Sequence, residues 1–109
     1  MSTVKEEAAE LCKAFGKAGV LIVDPHAIEL VELAREHCRL ATVDCNQGLN
    51  KLQNENRKAT ESRIREICLL YKLRVGFDGD PRVYTVKLHA PKFDVHNNGF
   101  GGYGIGESE

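Results

Sequence analysis

The fold is decided at Leu73-Arg74-Val75-Gly76-Phe77, where apolar residues recur at every second position. After the turn-forming residues Asp78-Gly79-Asp80-Pro81, the segment Tyr84-Thr85-Val86-Lys87-Leu88-His89 alternates in the same way. A period of two is typical of half-buried strands, and a cluster of Asp, Gly and Pro is typical of turns. The sequence therefore predicts an antiparallel hairpin, 73–77 with 83–89. Pro91 is predicted to end the second strand, because proline cannot donate to the ladder.

Upstream of the hairpin the apolar residues have the spacing of helices. Ala8, Leu11, Cys12 and Phe15 follow one another at i, i+3, i+4 and i+7, which makes one apolar stripe on a first helix. Thr3 is predicted to cap this helix, as the first residue of a capping box.

A second helix is predicted to begin at Asp24-Pro25, with Asp24 as the cap and Pro25 at the first helical position. Its apolar stripe runs from Leu30 to Cys45, which is about five turns. We expect a turn within 46–56, although a continuing helix stays open there, and a third helix over 59–72.

Helices followed by a small antiparallel sheet make this an α+β protein. The 109 residues allow one domain over 1–109. It divides into a helical half, 1–72, and a β-hairpin with a Gly-rich ligand loop in the C-terminal tail, 73–109. An apolar stripe of about five turns exceeds what one hairpin and one short helix can cover. We therefore predict a homodimer or a higher even oligomer.

Charge is segregated along the chain although the formal net charge is only −1. Residues 50–92 hold ten basic and five acidic groups, a balance of +5, which suits an anionic partner. A sequence pI near 6.4 is too low for a typical duplex-binding domain, so a nucleic-acid partner is not expected. The longest apolar stretch, 18–23, is too short to span a membrane. Acidic residues stand where a signal peptide would be basic and apolar, so a cytoplasmic protein is expected.

The sequence carries no catalytic motif and no metal-ligand spacing. The four cysteines at 12, 38, 45 and 68 form no Cys-x-x-Cys pair and fall on the apolar sides of the helical patterns, where buried, reduced thiols are expected. No His-Glu-x-x-His, Gly-x-Ser-x-Gly or carboxylate dyad is present. We therefore predict a protein that is not an enzyme and that needs no metal and no cofactor.

The tail Gly99-Phe100-Gly101-Gly102-Tyr103-Gly104 matches the glycine spacing of a dinucleotide fingerprint. Only five residues follow Gly104, so neither the helix nor the ribose-binding acid of a Rossmann fold can follow. An edge strand, a disordered tail, a ligand loop with bare amides and a subunit contact all stay open for this segment. In the predicted turn, the planar guanidinium of Arg82 is suited to bidentate binding of a phosphate. A plain hairpin turn is the simpler interpretation of this segment.

A resemblance rests on three stretches of the sequence. They are Ile64-Arg65-Glu66-Ile67-Cys68, then Val75-Gly76-Phe77-Asp78-Gly79-Asp80-Pro81-Arg82-Val83-Tyr84-Thr85-Val86-Lys87-Leu88, and the ending Asn98-Gly99-Phe100-Gly101-Gly102-Tyr103-Gly104-Ile105. The chain resembles small bacteriophage proteins of the first Thoeris anti-defence family. In those proteins a Gly-Asp-Pro-Arg-Gly-Tyr turn precedes a Val-Lys-Leu strand and a glycine-rich end. The likeness covers about the last 45 residues, and Val83 stands where the family pattern has Gly.

The resemblance implies a protein that binds and sequesters a cyclic nucleotide immune signal without cleaving it. The signal would be of the glyco-cyclic ADP-ribose type, with cyclic oligonucleotides as further ligands, in the cytoplasm of an infected bacterial host. Binding of such a ligand requires an aromatic side chain as a stacking platform, basic side chains and glycine backbone amides. The predicted ligand residues are Phe77, Arg82, Tyr84, Lys87, His89, Asn98, Gly101, Gly102 and Tyr103.

Two other classes of protein stay open. One is a regulator that binds a protein partner or nucleic acid through the basic segment 51–74. The other is an enzyme that degrades a nucleotide.

Overall fold

In the part of the chain that the structure describes, three helices are followed by an antiparallel sheet. The computed structural model describes residues 3–17, 19–77, 86–90, 93–97 and 103–106. The helices are α1 (Val4–Lys17), α2 (Asp24–Gln47) and α3 (Lys51–Leu70). The strands are β1 (Arg74–Phe77), β2 (Val86–Ala90), β3 (Phe93–Asn97) and β4 (Tyr103–Gly106). The predicted α+β class, with helices packed on a small antiparallel sheet, is confirmed.

The strands follow one another in the order β1-β2-β3-β4, each antiparallel to the next. The predicted hairpin is present with slightly different bounds, because β1 starts at Arg74 and β2 runs to Ala90. Leu73 falls outside the ladder because its N–H donates to the carbonyl of Cys68, at 2.9 Å, and so belongs to the end of α3. Residues 83–85 of the predicted second strand lie outside the described residues.

The sheet has two more strands than the predicted hairpin, since β3 and β4 lie within 93–109, the segment for which a C-terminal tail is predicted. A signal for β3 exists in the sequence, since Phe93 and Val95 alternate with Asp94 and His96. Tyr103 and Ile105 alternate with glycines in the same way, so for 103–106 the interpretation as an edge strand was the right one. Glycine lowers strand propensity, which is why the pattern predicts β4 only weakly.

The connection between α2 and α3 is much shorter than the predicted turn over 46–56. Helix α2 continues to Gln47 and α3 already begins at Lys51. Gly48, at φ 79°, ends α2. The Asn50 side chain accepts the N–H of Gln53 at 2.8 Å, and the Gln53 side chain accepts the N–H of Asn50 at 3.1 Å. This reciprocal capping box starts α3 in a polar segment that lacks an apolar stripe.

The two other predicted helix starts have different outcomes. Thr3 caps α1 as predicted, because its hydroxyl accepts the N–H of Glu6 at 3.2 Å. The prediction for α2 was wrong by one residue, since Val23 is the N-cap and Asp24 is the first helical residue. The Asp24 carboxylate lies instead against the thiol of Cys12, with Oδ1 3.9 Å from Sγ.

The apolar stripe of α2 is covered within one chain as far as Ala41, whereas Cys45 at its end is exposed. Leu30 and Ala34 are 3% and 4% exposed and belong to the same core as Phe15 of α1 and Ile64 of α3. The oligomer was predicted because this stripe was expected to stay uncovered, and that reason is wrong, since α1 and α3 together bury it. The oligomeric state itself stays a prediction.

The cap of α3 provides a test of this fold. Asn50→Ala removes the acceptor for the Gln53 N–H and is expected to lower the free energy of unfolding by about 1 kcal/mol. Asn50→Asp keeps a capping oxygen and should cost little. The measurement is urea denaturation followed by circular dichroism. The exposed Asn56→Ala serves as the control, and an equal loss in both alanine variants would contradict the capping role.

Candidate functional site

One face of the β1–β2 hairpin points away from the helices. Val86 and Leu88 are only 3% and 5% exposed and belong to the core. Successive side chains of a strand point to opposite faces, so Lys87 and His89 point outward. The structure thus brings together these two predicted ligand residues on adjacent outward positions of β2.

The partners of these residues on β1 complete the outward surface. Lys87 is paired with Gly76, and His89 is paired with Arg74. Arg74 is exposed, while Lys87 and His89 are half-buried. We call Arg74, Gly76, Lys87 and His89 the outer face of the hairpin.

An open space lies on the outer face at Gly76. A Cβ atom built at this position would meet no atom of the described residues within 4 Å. Arg74 and Lys87 are diagonal neighbours across the strand pair, at a distance over which like charges repel. Neither β1 nor β2 contributes a carboxylate to this face, and the nearest acidic position in the described sheet is Asp94 of β3, which is paired with His89. An anion placed over Gly76 would lie beside both cations.

Phe77 lies on the opposite face of the hairpin. It is paired with the buried Val86 and packs against the core. Its ring centroid lies 5.0 Å from that of His37, and the guanidinium of Arg65 lies 5.0 Å from the Phe77 centroid. The Phe77 ring is thus already in contact with the ring of a histidine and with a cation–π partner. The structure therefore does not bring Phe77 together with Lys87 and His89, and it gives the ring a packing role.

His37 supports this packing from inside the helical layer, a role that the sequence did not indicate. Its side chain is 2% exposed, and Nε2 lies 2.9 Å from Oε2 of Glu61 on α3. Nδ1 is buried and has no hydrogen-bond partner among the described residues. In the neutral ring with a hydrogen on Nε2, that nitrogen donates to Glu61 and leaves an acceptor at Nδ1. One histidine within a helical stripe gives no sequence signal for such a contact.

The other predicted ligand residues are not part of the outer face as the structure describes it. Arg82, Tyr84, Asn98, Gly101 and Gly102 lie outside the described residues. The backbone of Tyr103 lies in β4, in register with Asn97 of β3. Their predicted contacts with a ligand therefore stay predictions.

Several basic residues of α3 are occupied within the chain. Arg63 donates two hydrogen bonds to the Glu29 carboxylate on α2, at 2.6 and 3.0 Å. Arg57 lies 3.8 Å from an oxygen of Asp44, and Arg65 contacts Phe77. These arginines link α3 to its neighbours, so the positive balance of the basic segment is partly neutralised by the fold.

None of the four cysteines, all of which lie in the described part of the chain, forms a disulfide, and not all of them are buried. Cys38 and Cys68 are buried as predicted, Cys12 is half-buried, and Cys45 is exposed in the last turn of α2, so the prediction is wrong there. Burial raises the pKa of the Cys68 thiol to about 11. Burial, with the Asp24 carboxylate as a further cause, also raises the pKa of Cys12. Both thiols are therefore protonated and poorly nucleophilic at neutral pH.

Comparisons with known proteins add nothing to this description, since no family model, no curated protein and no solved structure matches the chain. The resemblance to the anti-defence family therefore stays a prediction. Among the residues that the structure describes, no group of side chains could hold a metal ion. None of the described helices is long and apolar enough to cross a membrane.

The packing role of Phe77 can be tested by truncation. Phe77→Ala removes the contacts with His37 and Arg65 and is expected to lower the free energy of unfolding by about 2 kcal/mol, because the ring is partly buried. Phe77→Leu keeps most of the apolar volume and should lose less. Chemical denaturation of both variants gives the comparison. Unchanged stability of the alanine variant would show that the ring does not support the fold.

The Glu29–Arg63 pair makes stability depend on pH. The hydrogen bond from Arg63 lowers the pKa of Glu29 below its ordinary value of 4.5, against a smaller opposite effect of burial. A carboxylate with a lowered pKa stabilises the fold above its unfolded-state pKa, and this contribution is lost as the pH falls through the folded-state value. The stability advantage of wild type over Glu29→Gln should thus be full at pH 6 and shrink below about pH 4.5.

Denaturation midpoints measured from acid to neutral pH check this expectation. The exposed Glu55→Gln is the control, and its difference from wild type should not follow the same curve. An advantage over Glu29→Gln that grows on acidification would contradict the assigned sign.

Proposed function

We propose that the protein binds a phosphate-bearing nucleotide on the outer face of the hairpin and holds it without cleaving it. The observation that carries this proposal is the open space at Gly76 between two cations of the same face. Cyclic ADP-ribose and its glycosylated relatives combine phosphates with ribose and a flat base. The positive charges suit the phosphates, and the bare backbone at Gly76 leaves room for a ring.

The biological role follows from the resemblance. A protein that retains a cyclic nucleotide signal lowers its free concentration in the cytoplasm of an infected host, and it thereby prevents the signal from reaching its receptor. The first Thoeris anti-defence family, which the C-terminal part of the chain resembles, is expected to act in this way. Retention needs only affinity and a sufficient amount of protein. It therefore requires no nucleophile, no general base and no metal.

The alternative of nucleic-acid binding through the basic segment has less support. A nucleic-acid interface needs a row of cations that can neutralise successive phosphates. In α3, Arg57 and Arg63 already face carboxylates, and Arg65 lies on Phe77. The outer face offers two cations around one open space, which suits a small anion better than a long strand.

Two substitutions on the outer face test the site. Gly76→Val fills the open space, and it should keep or raise stability because valine favours strands and would meet no neighbouring atom. Lys87→Glu reverses one charge. Lys87→Glu should weaken the binding of cyclic ADP-ribose isomers by about 10- to 100-fold, the size expected for a lost charge-assisted hydrogen bond, and Gly76→Val should weaken it because the valine side chain excludes the ligand from the space. Isothermal titration calorimetry measures the affinity, and the exposed Lys58→Glu on α3 is the charge-matched control.

The fate of the ligand separates sequestration from catalysis. Wild-type protein is mixed with cyclic ADP-ribose isomers or cyclic oligonucleotides, freed of unbound ligand, heated, and the released material is analysed by mass spectrometry. Recovery of the intact nucleotide is the expected result. A cleaved product would make the protein an enzyme. Retention of none of these nucleotides, or equal retention by wild type and Lys87→Glu, would refute the proposed site.

A further inference from the structure

A cleft of about 310 Å³ lies between α1 and the start of α2. Its lining consists of Lys5, Ala8 and Ala9 from α1 and of Asp24 and Ile28 from α2. None of these residues belongs to the outer face of the hairpin, so this second site does not depend on the proposed function. The volume is at the lower end of the range of small-molecule sites, which limits the occupant to a small molecule.

The middle of the cleft is apolar. Ala8 is buried, Ala9 is exposed and Ile28 is half-buried. Two consecutive alanines on α1 leave the space that larger side chains would fill. An aliphatic chain in this space would contact methyl groups and lose water from both surfaces.

The two charged residues of the lining, Lys5 and Asp24, lie at different positions along the axis of α1. Asp24 Oδ1 lies 3.9 Å from Cys12 Sγ. Cys12 follows Lys5 by seven residues on α1, which is about two turns or about 10 Å along the helix axis. The Lys5 end therefore suits a negative group, and the Asp24 end suits a positive group.

We propose that this cleft binds a small bipolar molecule with a carboxylate and an ammonium group at the two ends of a short aliphatic chain. An ω-amino acid, or a molecule that presents the same groups, satisfies both charges and the apolar middle together. A molecule with one charge leaves either Lys5 or Asp24 without a partner. The charge pattern of the cleft thus sets its selectivity.

The probes for the test are 6-aminohexanoate, hexanoate and hexylamine, which share one aliphatic chain and differ in their charged ends. Each is titrated into the ¹⁵N-labelled full-length protein up to about 20 mM, since one small ligand with two exposed ion pairs is expected to bind in the millimolar range. The expected result is saturable shifts of the Ala8, Ala9 and Ile28 amide signals with 6-aminohexanoate. The two singly charged probes should bind at least about fivefold more weakly.

Three variants locate the binding. Asp24→Asn and Lys5→Gln each remove one charge and should weaken 6-aminohexanoate binding about five- to tenfold. Lys17→Gln removes a lysine from the other end of α1 and should leave binding unchanged. Ala9→Leu fills the cleft from an exposed position and should abolish binding in a protein that melts like wild type.

Three results would overturn the proposal. They are the absence of saturable shifts with 6-aminohexanoate, equal binding of all three probes, and unchanged binding by a folded Ala9→Leu variant.

Discussion

Helix α2 must be buried on two sides at once, and the rest of the structure depends on this constraint. Its buried residues are Ala27, Leu30, Val31, Ala34, His37, Cys38, Leu40 and Ala41. Arg35 and His37, two residues apart, point roughly 160° away from each other. Arg35 meets the fully buried carboxylate of Glu7 on α1 at 3.1 Å, whereas His37 meets Glu61 on α3 at 2.9 Å. A buried carboxylate without its partner is strongly destabilising. These polar contacts therefore fix where α1 and α3 can lie against α2.

The position of the sheet follows from the position of α3. The chain leaves α3 through Lys72, which adopts a positive φ of 56°, and the N–H of Leu73 returns to the carbonyl of Cys68. Strand β1 then begins at once and places Phe77 against His37 and Arg65. Since the helices cover this face of the hairpin, the alternate residues of β1 and β2 are directed outward. The same packing that holds the hairpin thus creates the outer face and its space at Gly76.

Charged residues have two different uses in this protein. Between the helices, acidic and basic side chains meet across α1–α2 and α2–α3, as in Glu7–Arg35 and Glu29–Arg63. Such pairs contribute orientation more than stability, because desolvation offsets much of their attraction. On the outer face, Arg74 and Lys87 are diagonal neighbours on either side of the space at Gly76, and the nearest acidic position in the described sheet is Asp94 of β3, paired with His89. A binding protein for small anions needs the second arrangement, and the first keeps α3 from presenting its arginines as a continuous surface.

The sequence by itself determined the class of the fold, because the change from helical period to alternation at Leu73 is local and independent of packing. It also determined that Lys87 and His89 share one face of a strand, since alternate residues must do so. It could not determine the role of Phe77, because a ring that packs on His37 and a ring that is free for a base have the same alternating pattern. Only tertiary structure decided this, by bringing α2, α3 and β1 together. The start of α3 at Lys51 is set by the local capping box of Asn50 and Gln53, so the sequence held that signal as well. The covering of the α2 stripe was decided by contacts between helices. Such contacts join residues far apart in the chain, and no local pattern records them.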